Sequence, residues 1–163
     1  MKINILTSFC VISLLITLPI KVLAEDDLID PIMYGDKQFV ILKSTTSYQE
    51  ALKFAQKAAK QLNLKLDLRD LSENKDIGLS YSKSELEEGG FPFYVHRGRW
   101  DDGSYVSIEY SSAFKGFREG LYMVVGTSGG VKSKPIMEAL KQARKYYPDA
   151  YAKTAPVYFG CMH

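Results

Sequence analysis

The sequence predicts an α+β fold in which one strand-helix-strand unit occurs twice, with both helices on one face of a sheet and a β-hairpin inserted between the units. Two observations support this prediction. An apolar strand pattern, a short polar turn and an amphipathic helix follow one another over residues 39–71 and again over residues 121–157. An Asp-Gly turn between strand-like runs lies in the intervening residues 72–120. The repeat indicates architecture and says little by itself about function.

Residues 1–24 have the pattern of a secretory signal peptide. Lys2 supplies a positive start, residues 3–20 are almost uninterruptedly apolar, and residues 22–24 form a small-residue cleavage site. An uncleaved membrane anchor is the alternative, because the apolar stretch approaches spanning length, but Pro19 and the cleavage site favour removal. We therefore expect an exported protein, periplasmic or secreted, with no stable membrane insertion after cleavage.

The chain that remains after cleavage is electrically balanced. The whole sequence has 21 basic and 19 acidic residues, and the leader carries two of the lysines and no acid, so the formal charge of residues 25–163 is zero. A general affinity for nucleic acid or for an anionic membrane is therefore not indicated. Cys161 is the one cysteine left, so no intramolecular disulfide can form. The length suits a single domain over residues 39–163, after a lead-in over residues 25–38.

The first unit begins with an apolar strand at residues 39–42, followed by a polar turn. Ser47 and Glu50 then have the S-x-x-E spacing of a capping box, in which each side chain satisfies an orphaned backbone amide at the start of a helix. The helix, which we expect to end at Asn63, has one apolar stripe that consists mostly of alanine. A second strand is predicted beyond it from the alternation of three leucines, namely Leu64, Leu66 and Leu68.

The second unit repeats this order. An apolar strand at residues 121–125 precedes a glycine-rich turn at residues 126–131. Pro135 in the first turn marks the start of a helix that runs to the residue before Pro148. A strand at residues 151–157 completes the unit.

The residues between the units predict a loop and a hairpin. Residues 70–90 are polar and rich in Ser, Glu and Lys, which is typical of a long surface loop. Residues 91–100 and 104–110 flank Asp101-Asp102-Gly103, and Asp-Gly between strand-like runs favours a hairpin because both positions tolerate positive φ. Residues 111–120, which contain two glycines, are predicted to be a connecting loop.

Right-handed crossovers would place both helices on the same face of one sheet, which is a ferredoxin-like arrangement. The inserted hairpin would lie at an edge of this sheet or extend from it. The opposite face would then have no helix over it, and we expect it to contribute to binding.

Both units resemble the sporulation-related repeat (SPOR) domain. In the first, residues 39–42 and a Ser/Thr turn lead to Tyr48-Gln49-Glu50-Ala51-Leu52 inside an alanine-rich helix. In the second, Tyr122-Met123-Val124-Val125-Gly126-Thr127-Ser128 precedes residues 139–147 and Pro148-Asp149-Ala150-Tyr151. The resemblance implies an exported protein built from β-α-β repeats. It also implies binding of peptidoglycan glycan strands on the sheet face without cleavage.

The densest group of recognition-type side chains lies in the predicted hairpin. An aromatic ring stacks on the apolar face of a sugar, while Arg and Glu bond hydroxyls or carboxylates, so this mixture suits a carbohydrate or peptide groove. The alternative is a ribbon whose aromatics cover its own core and whose arginines pair with Asp101, Asp102 and Glu109 across the strands. The candidate ligand-binding residues are Tyr94, His96, Arg97, Arg99, Trp100, Tyr105 and Glu109.

The sequence contains none of the common catalytic signatures. There is no G-x-S-x-G elbow, H-E-x-x-H helix, Walker loop or C-x-x-C pair, so we predict a non-enzyme without cofactor or metal. Cys161 and His163 could form a soft-metal pair or a thiol beside its base, but no third ligand is visible and a structural tail is favoured. The glycines of residues 126–130 suit a turn better than an anion cradle.

We therefore expect an exported, non-enzymatic binding domain, with cell-wall glycan as the leading ligand through the sheet face and the hairpin. The alternative is a small secreted inhibitor or immunity-type protein that binds a protein partner. No nucleic-acid partner is expected, and the sequence leaves the oligomeric state open. Co-sedimentation with peptidoglycan sacculi would favour the first function, and a stable one-to-one complex with a protein would favour the second.

Overall fold

The structure, a computed structural model, describes residues 33–81 and 93–160. Within these ranges it has two helices, a four-stranded antiparallel sheet and a separate two-stranded sheet. The α+β class predicted from the sequence is confirmed. In chain order the elements are β1 (Tyr34–Thr45), α1 (Tyr48–Leu62), β2 (Leu71–Asn74), β3 (Gly78–Tyr81), β4 (Gly103–Tyr110), a 3₁₀ turn (Ser111–Ala113), β5 (Tyr122–Gly130), α2 (Lys134–Ala143) and β6 (Tyr151–Tyr158).

The strand order in the larger sheet is β4-β5-β1-β6, and every neighbouring pair is antiparallel. β1 and β4 lie on either side of β5, and the chain between them includes α1 and the small β2-β3 sheet. β5 and β6 lie on either side of β1 and are joined through α2. Each helix therefore lies on a connection between two strands that are separated by one antiparallel strand.

α1 begins at the predicted residue. The Glu50 N–H donates to the Ser47 hydroxyl at 3.3 Å, so Ser47 is the N-cap. The Glu50 carboxylate accepts from the Thr45 hydroxyl at 2.8 Å, not from the Ser47 amide, so only half of the predicted capping box forms. Asn63 ends the helix in the left-handed conformation, at φ 53°.

β1 and β5 are longer than predicted. β1 begins at Tyr34, inside the predicted lead-in, because residues 34–41 pair with β6. Both strands also continue through segments predicted as turns, to Thr45 and Gly130, since they pair with each other there.

α2 is shorter than predicted. It ends at Ala143 and does not reach the residue before Pro148. The N–H groups of Tyr146 and Tyr147 both turn back to the Ala143 carbonyl, at 3.1 and 2.9 Å, and this turn ends the regular helix.

The three-leucine strand predicted after α1 is reduced to a single bridge. Leu66 pairs in parallel with Val106 of β4, and the Val106 N–H donates to the Lys65 carbonyl at 2.8 Å. Arg69 and Asp70, in left-handed conformations at φ 58° and 56°, then turn the chain away from the sheet. The strand that completes the first unit in the sheet is β4, so this unit includes the insertion.

The hairpin predicted over residues 91–110 is wrong in its first strand. Residues 93–102 form no strand, and residues 91–92 lie outside the described ranges. The second half is β4, which pairs with β5 in the larger sheet. Gly98, at φ 104°, turns the chain where a ladder would need extended backbone. A hairpin does form earlier, where β2 and β3 pair within residues predicted to be a loop.

Both helices pack on one face of the larger sheet. Their small apolar side chains form one buried cluster with alternate residues of the strands. Alanine brings the helix backbone close to the sheet, which suits a two-layer core. The cluster includes Ala51, Ala55, Ala58, Ile136 and Ala143 from the helices and Val40, Leu42, Val106, Ile108 and Val124 from the strands.

Among the described residues no α-helix covers the opposite face of the sheet, as predicted, but loops cover it, so it is not the exposed face expected for binding. Its apolar side chains are at most 1% exposed, and the Phe114 ring lies edge-on to the Phe39 ring with centroids 5.1 Å apart. Gly98 packs so closely here that an added Cβ would lie 3.0 Å from the Phe39 ring. The buried strand residues on this face are Phe39, Ile41, Met123, Val125, Ala155 and Val157.

Candidate functional site

The candidate residues are distributed along and beside residues 93–101, which we call the crossing segment because it runs over the loop-covered face of the sheet from β4 towards β6. Tyr94 and Arg97 bond to Glu109 of β4, and Arg97 and Gly98 are the buried residues of the segment. Its last part reaches the end of β6, where Trp100 is 72% exposed. Four of the seven candidates meet in the buried part, namely Tyr94, Arg97, Tyr105 and Glu109.

Glu109 on β4 is the centre of a buried hydrogen-bond network. Its carboxylate has no solvent exposure and accepts from the Tyr94 hydroxyl at 2.6 Å and from the Arg97 backbone N–H at 3.1 Å. Arg69 supplies the matching positive charge, with Nη1 3.0 Å from Oε2. Because buried charges are stable only when paired and hydrogen-bonded, these donors explain how Glu109 is accommodated.

The Arg97 guanidinium is held by neutral oxygens. It is fully buried, it donates to the hydroxyls of Ser128 (3.0 Å) and Ser107 (3.1 Å), and it lies over the Tyr105 ring at 3.4 Å. Backbone carbonyls, including that of Tyr105 at 2.9 Å, complete its partners. Burial lowers the pKa of Arg97 below its usual value. The predicted pairing of this arginine with a hairpin carboxylate therefore does not form.

Arg69 makes the ion pairs instead, and sequence reasoning missed it. Its Nε lies 3.0 Å from Asp101 Oδ2, and its Nη2 donates to the Val95 carbonyl at 3.0 Å. Burial alone would lower the pKa of Arg69, but the carboxylates of Glu109 and Asp101 raise it above its usual value. No pattern marks Arg69 in the sequence, because its role depends on the left-handed conformations of Arg69 and Asp70, which no sequence pattern predicts here.

Tyr94 is a neutral donor in this network. Burial and the neighbouring Glu109 carboxylate raise its pKa well above the usual value, so the hydroxyl keeps its proton. The same hydroxyl accepts from the Tyr110 N–H at 3.1 Å. Tyr94 therefore ties the crossing segment to β4 at two points.

The buried network holds the crossing segment and leaves little for a ligand to contact. Arg97 and Glu109 have no exposed surface, and the polar groups around them bond one another. His96 is also engaged internally, since its ring lies 4.7 Å from that of Phe114. We assign Tyr94, Arg97, Tyr105 and Glu109 to the fixing of this segment.

Arg99 and Trp100 lie in an exposed cluster that we call the aromatic surface. The Trp100 ring lies 5.8 Å from that of Phe159, and the rings of Tyr34 and Tyr158 are 5.1 Å apart. Arg99 donates from Nε to the Phe159 carbonyl at 3.2 Å and lies over the Tyr158 ring at 5.7 Å. The aromatic surface consists of Tyr34, Arg99, Trp100, Tyr158 and Phe159.

Strand pairing creates this surface. Tyr34 of β1 lies directly opposite Tyr158 of β6, and the Phe159 N–H continues the ladder by donating to the Met33 carbonyl at 2.8 Å. Gly35 makes room for the Phe159 ring, because an added Cβ would lie 2.5 Å from it. Sequence reasoning missed the two tyrosines and Phe159, since they fall in the predicted lead-in and tail.

The chemistry of the aromatic surface is that of recognition. Exposed rings provide flat apolar faces for stacking, and the Arg99 guanidinium retains donors towards solvent because the side chain is only partly buried. Lys37 also lies beside the surface, 5.4 Å from the centre of the Phe159 ring, but its ammonium group is paired with Asp102. This combination suits a sugar or an extended chain that carries acceptor oxygens.

Residues 33–81 and 93–160 contain no group of three or more His, Cys, Asp or Glu side chains that could hold a metal ion. Cys161 and His163, considered as a soft-metal pair but predicted to be a structural tail, lie outside these ranges. Neither described helix has the length and apolar character needed to cross a membrane.

Comparison with known proteins yields no relative. No family model matches the chain, no curated protein matches it, and no solved structure matches it. The resemblance to SPOR repeats therefore stays a prediction.

Proposed function

We propose that this chain is an exported, non-enzymatic binding domain with a ferredoxin-like, SPOR-like duplicated β-α-β fold, and that its aromatic surface binds a glycan strand of the bacterial cell wall. The strand order β4-β5-β1-β6, with a helix on each connection across an intervening strand, supports the ferredoxin-like part. The leader pattern of residues 1–24 supports export.

The observation that carries the proposed ligand is the exposure of Trp100. A tryptophan is seldom left 72% exposed without a partner, and this one lies beside Phe159 and an arginine fixed by a hydrogen bond. Sugar rings stack on such side chains while their hydroxyls bond nearby donors. The binding surface is thus at the end of β6, and not on the sheet face, which is buried.

Co-sedimentation of the purified protein with peptidoglycan sacculi tests this function. We expect Trp100→Ala to weaken binding by about tenfold or more, because a central aromatic residue contributes at least about 1–2 kcal/mol to a recognition surface. Tyr146→Ala is the matched control, since Tyr146 is also exposed (53%) but follows α2, in the helix layer. Equal binding by the parent protein and the Trp100 variant would refute a glycan site here.

A protein partner is the second candidate, as expected for an inhibitor or immunity-type protein. Exposed Trp, Tyr and Arg residues also dominate the energetics of protein interfaces. This function predicts a stable one-to-one complex in size-exclusion chromatography, lost in Trp100→Ala, with no retention by sacculi.

A further inference from the structure

A groove lies between α2 and the C-terminal end of α1, on the helix-covered face of the sheet. Its volume is about 610 Å³, within the range of about 300–1,000 Å³ typical of small-molecule sites. The floor is formed by Val40, Leu42 and Gly126. Leu62, Leu64, Ala139 and Ala143 form the apolar parts of the walls, and Ser104, Thr127 and Gln142 add polar groups to the lining.

Small residues keep this groove open. Gly126 lies in β5 with no side chain, and a Cβ added there would lie 3.3 Å from the Leu42 side chain. The facing wall of α2 presents alanines, which project little into the space. Tyr147 connects the two helices beside the groove, since its ring lies 4.9 Å from that of Phe54 and its hydroxyl bonds Gln61.

The rim of the groove is positively charged. Lys141 and Lys145 line it, and no acid among the described residues lies within 4.0 Å of either ammonium group. Glu138 also lines the groove, so two lysines and one carboxylate line it, and Lys134 lies 3.9 Å from this carboxylate.

The helix layer as a whole also has a positive net charge. The acids of the two helices are Glu50 and Glu138, whereas their cations are Lys53, Lys57, Lys60, Lys134 and Lys141; Arg144, Lys145 and Asp149 follow α2. The full sequence has a net charge of only +2, so the rest of the chain carries more acids than bases. Charge complementarity therefore favours an anionic ligand on this layer.

We propose that this groove binds a long-chain carboxylate, a single-chain amphiphile whose tail lies on the apolar floor and whose head group meets Lys141 and Lys145. The apolar floor and walls account for the chain, and the lysine rim accounts for the negative head. This site lies in the helix layer and is independent of the aromatic surface, so it does not rest on the proposed glycan function.

Isothermal titration calorimetry of the purified protein with laurate, kept below its critical micelle concentration, tests the proposal. We expect saturable binding of one laurate, no measurable binding of butyrate, which lacks the chain, and about tenfold weaker binding of monolaurin, which lacks the charge. Butyrate binding as strong as that of laurate would overturn the apolar site. Equal binding of monolaurin and laurate would overturn the lysine head-group contact.

Variants locate the site. Lys141→Glu combined with Lys145→Glu should weaken laurate binding by about tenfold or more, while the matched pair Lys53→Glu and Lys57→Glu makes the same charge change outside the groove and should change it little. Equal losses in the two double variants would mean nonspecific attraction and would overturn the proposal.

Gly126→Val fills the floor and should abolish binding. Its backbone does not need the left-handed region, so β5 can accept the valine backbone, but the Leu42 side chain must shift because the added Cβ would lie 3.3 Å from it. Circular dichroism checks that this variant is folded. If it is not, the surface lysine variants test whether laurate binds in this groove. Full laurate affinity in a folded Gly126→Val protein would overturn the location.

Discussion

Arg97 and Arg99 are almost adjacent in the chain and have opposite environments. Arg97 is inaccessible to solvent and its guanidinium bonds hydroxyl and carbonyl oxygens, whereas Arg99 lies partly exposed over the Tyr158 ring. The difference shows that residue types associated with recognition serve two purposes in the crossing segment. Burial decides whether such a residue anchors the segment or faces a ligand.

The exposed region depends on the buried one. Residues 93–102 have no helix or strand to fix them, so the side-chain network around Glu109 holds their path. Burying these charges is unfavourable unless each has its hydrogen-bond and ion-pair partners. The network therefore favours the one backbone path that brings all of these partners together. We expect changes in the network to disturb the aromatic surface, and changes in the aromatic surface to leave the network intact.

The largest effect should come from Glu109→Gln. The substitution keeps the side-chain size but removes the negative charge opposite Arg69. It also replaces a carboxylate, which accepts from the Tyr94 hydroxyl and the Arg97 N–H, with an amide that has only one acceptor oxygen. Removing one partner of a buried ion pair typically lowers the free energy of unfolding by about 3–5 kcal/mol. Urea unfolding should show a loss of this size in the free energy of unfolding.

Lys65→Ala is the control for that measurement. Lys65 pairs with Asp67 at 2.7 Å, but its side chain is 75% exposed, so its loss should change the free energy of unfolding by less than about 1 kcal/mol. If both variants lost similarly little stability, the Glu109 network would not be what fixes the crossing segment.

Gly98→Ala should have the next largest effect and should couple the two regions. An alanine there would be strained at φ 104° and its Cβ would lie 3.0 Å from the buried Phe39 ring. Such a strained residue costs about 1–3 kcal/mol, and the displaced turn should also weaken glycan binding through Trp100.

Gly103→Ala separates strain from contact. Gly103 also has positive φ, 133°, but nothing lies within 4 Å of an added Cβ. We therefore expect a smaller loss in thermal or urea unfolding than for Gly98→Ala. Equal losses in the two variants would show that close packing of the crossing segment on Phe39 is unimportant.

The sequence was sufficient for what depends on local periodicity. The helix starting at Ser47, the apolar strands of β1 and β5 and the alanine stripes are found where their patterns predict them. The sequence was insufficient to predict which strands pair. The apolar and polar residues of β4 alternate in the same way whether the strand joins a separate hairpin or the edge of the larger sheet. In the structure β4 pairs with β5, and no local sequence pattern identifies that partner.

The candidate site was predicted in part for a similar reason. Arg99 and Trp100 were named from composition, but their companions Tyr34, Tyr158 and Phe159 come from opposite ends of the chain and meet through strand register. The buried role of Arg97 was also hidden, because its acceptors are mostly backbone and hydroxyl oxygens that carry no sequence signature.

Apart from the control variants, the smallest expected effect belongs to Asp101, which joins the two regions. Its carboxylate accepts from the Gly98 N–H at 2.8 Å and from the Tyr105 hydroxyl at 3.1 Å, and it lies 3.0 Å from Arg69. Burial alone would raise its pKa, but the Gly98 N–H, the Arg69 charge and the Tyr105 hydroxyl hold the pKa below the usual value. Asp101→Asn should therefore cost about 1 kcal/mol at neutral pH.

The pH dependence of that loss identifies its cause. Because the folded-state pKa is depressed, the contribution of Asp101 is fully present above the unfolded pKa of about 3.9 and disappears as the pH falls through the lower, folded value. Urea unfolding between neutral and acid pH should show the parent protein losing stability more steeply than Asp101→Asn below about pH 4. Tyr105→Phe removes one hydrogen-bond donor from the Asp101 carboxylate. This variant should also lose stability less steeply than the parent protein as the pH falls, but the difference should be smaller than for Asp101→Asn. Parallel acid slopes in the parent and Asp101→Asn would mean that this carboxylate does not connect the buried network to the turn that carries Trp100.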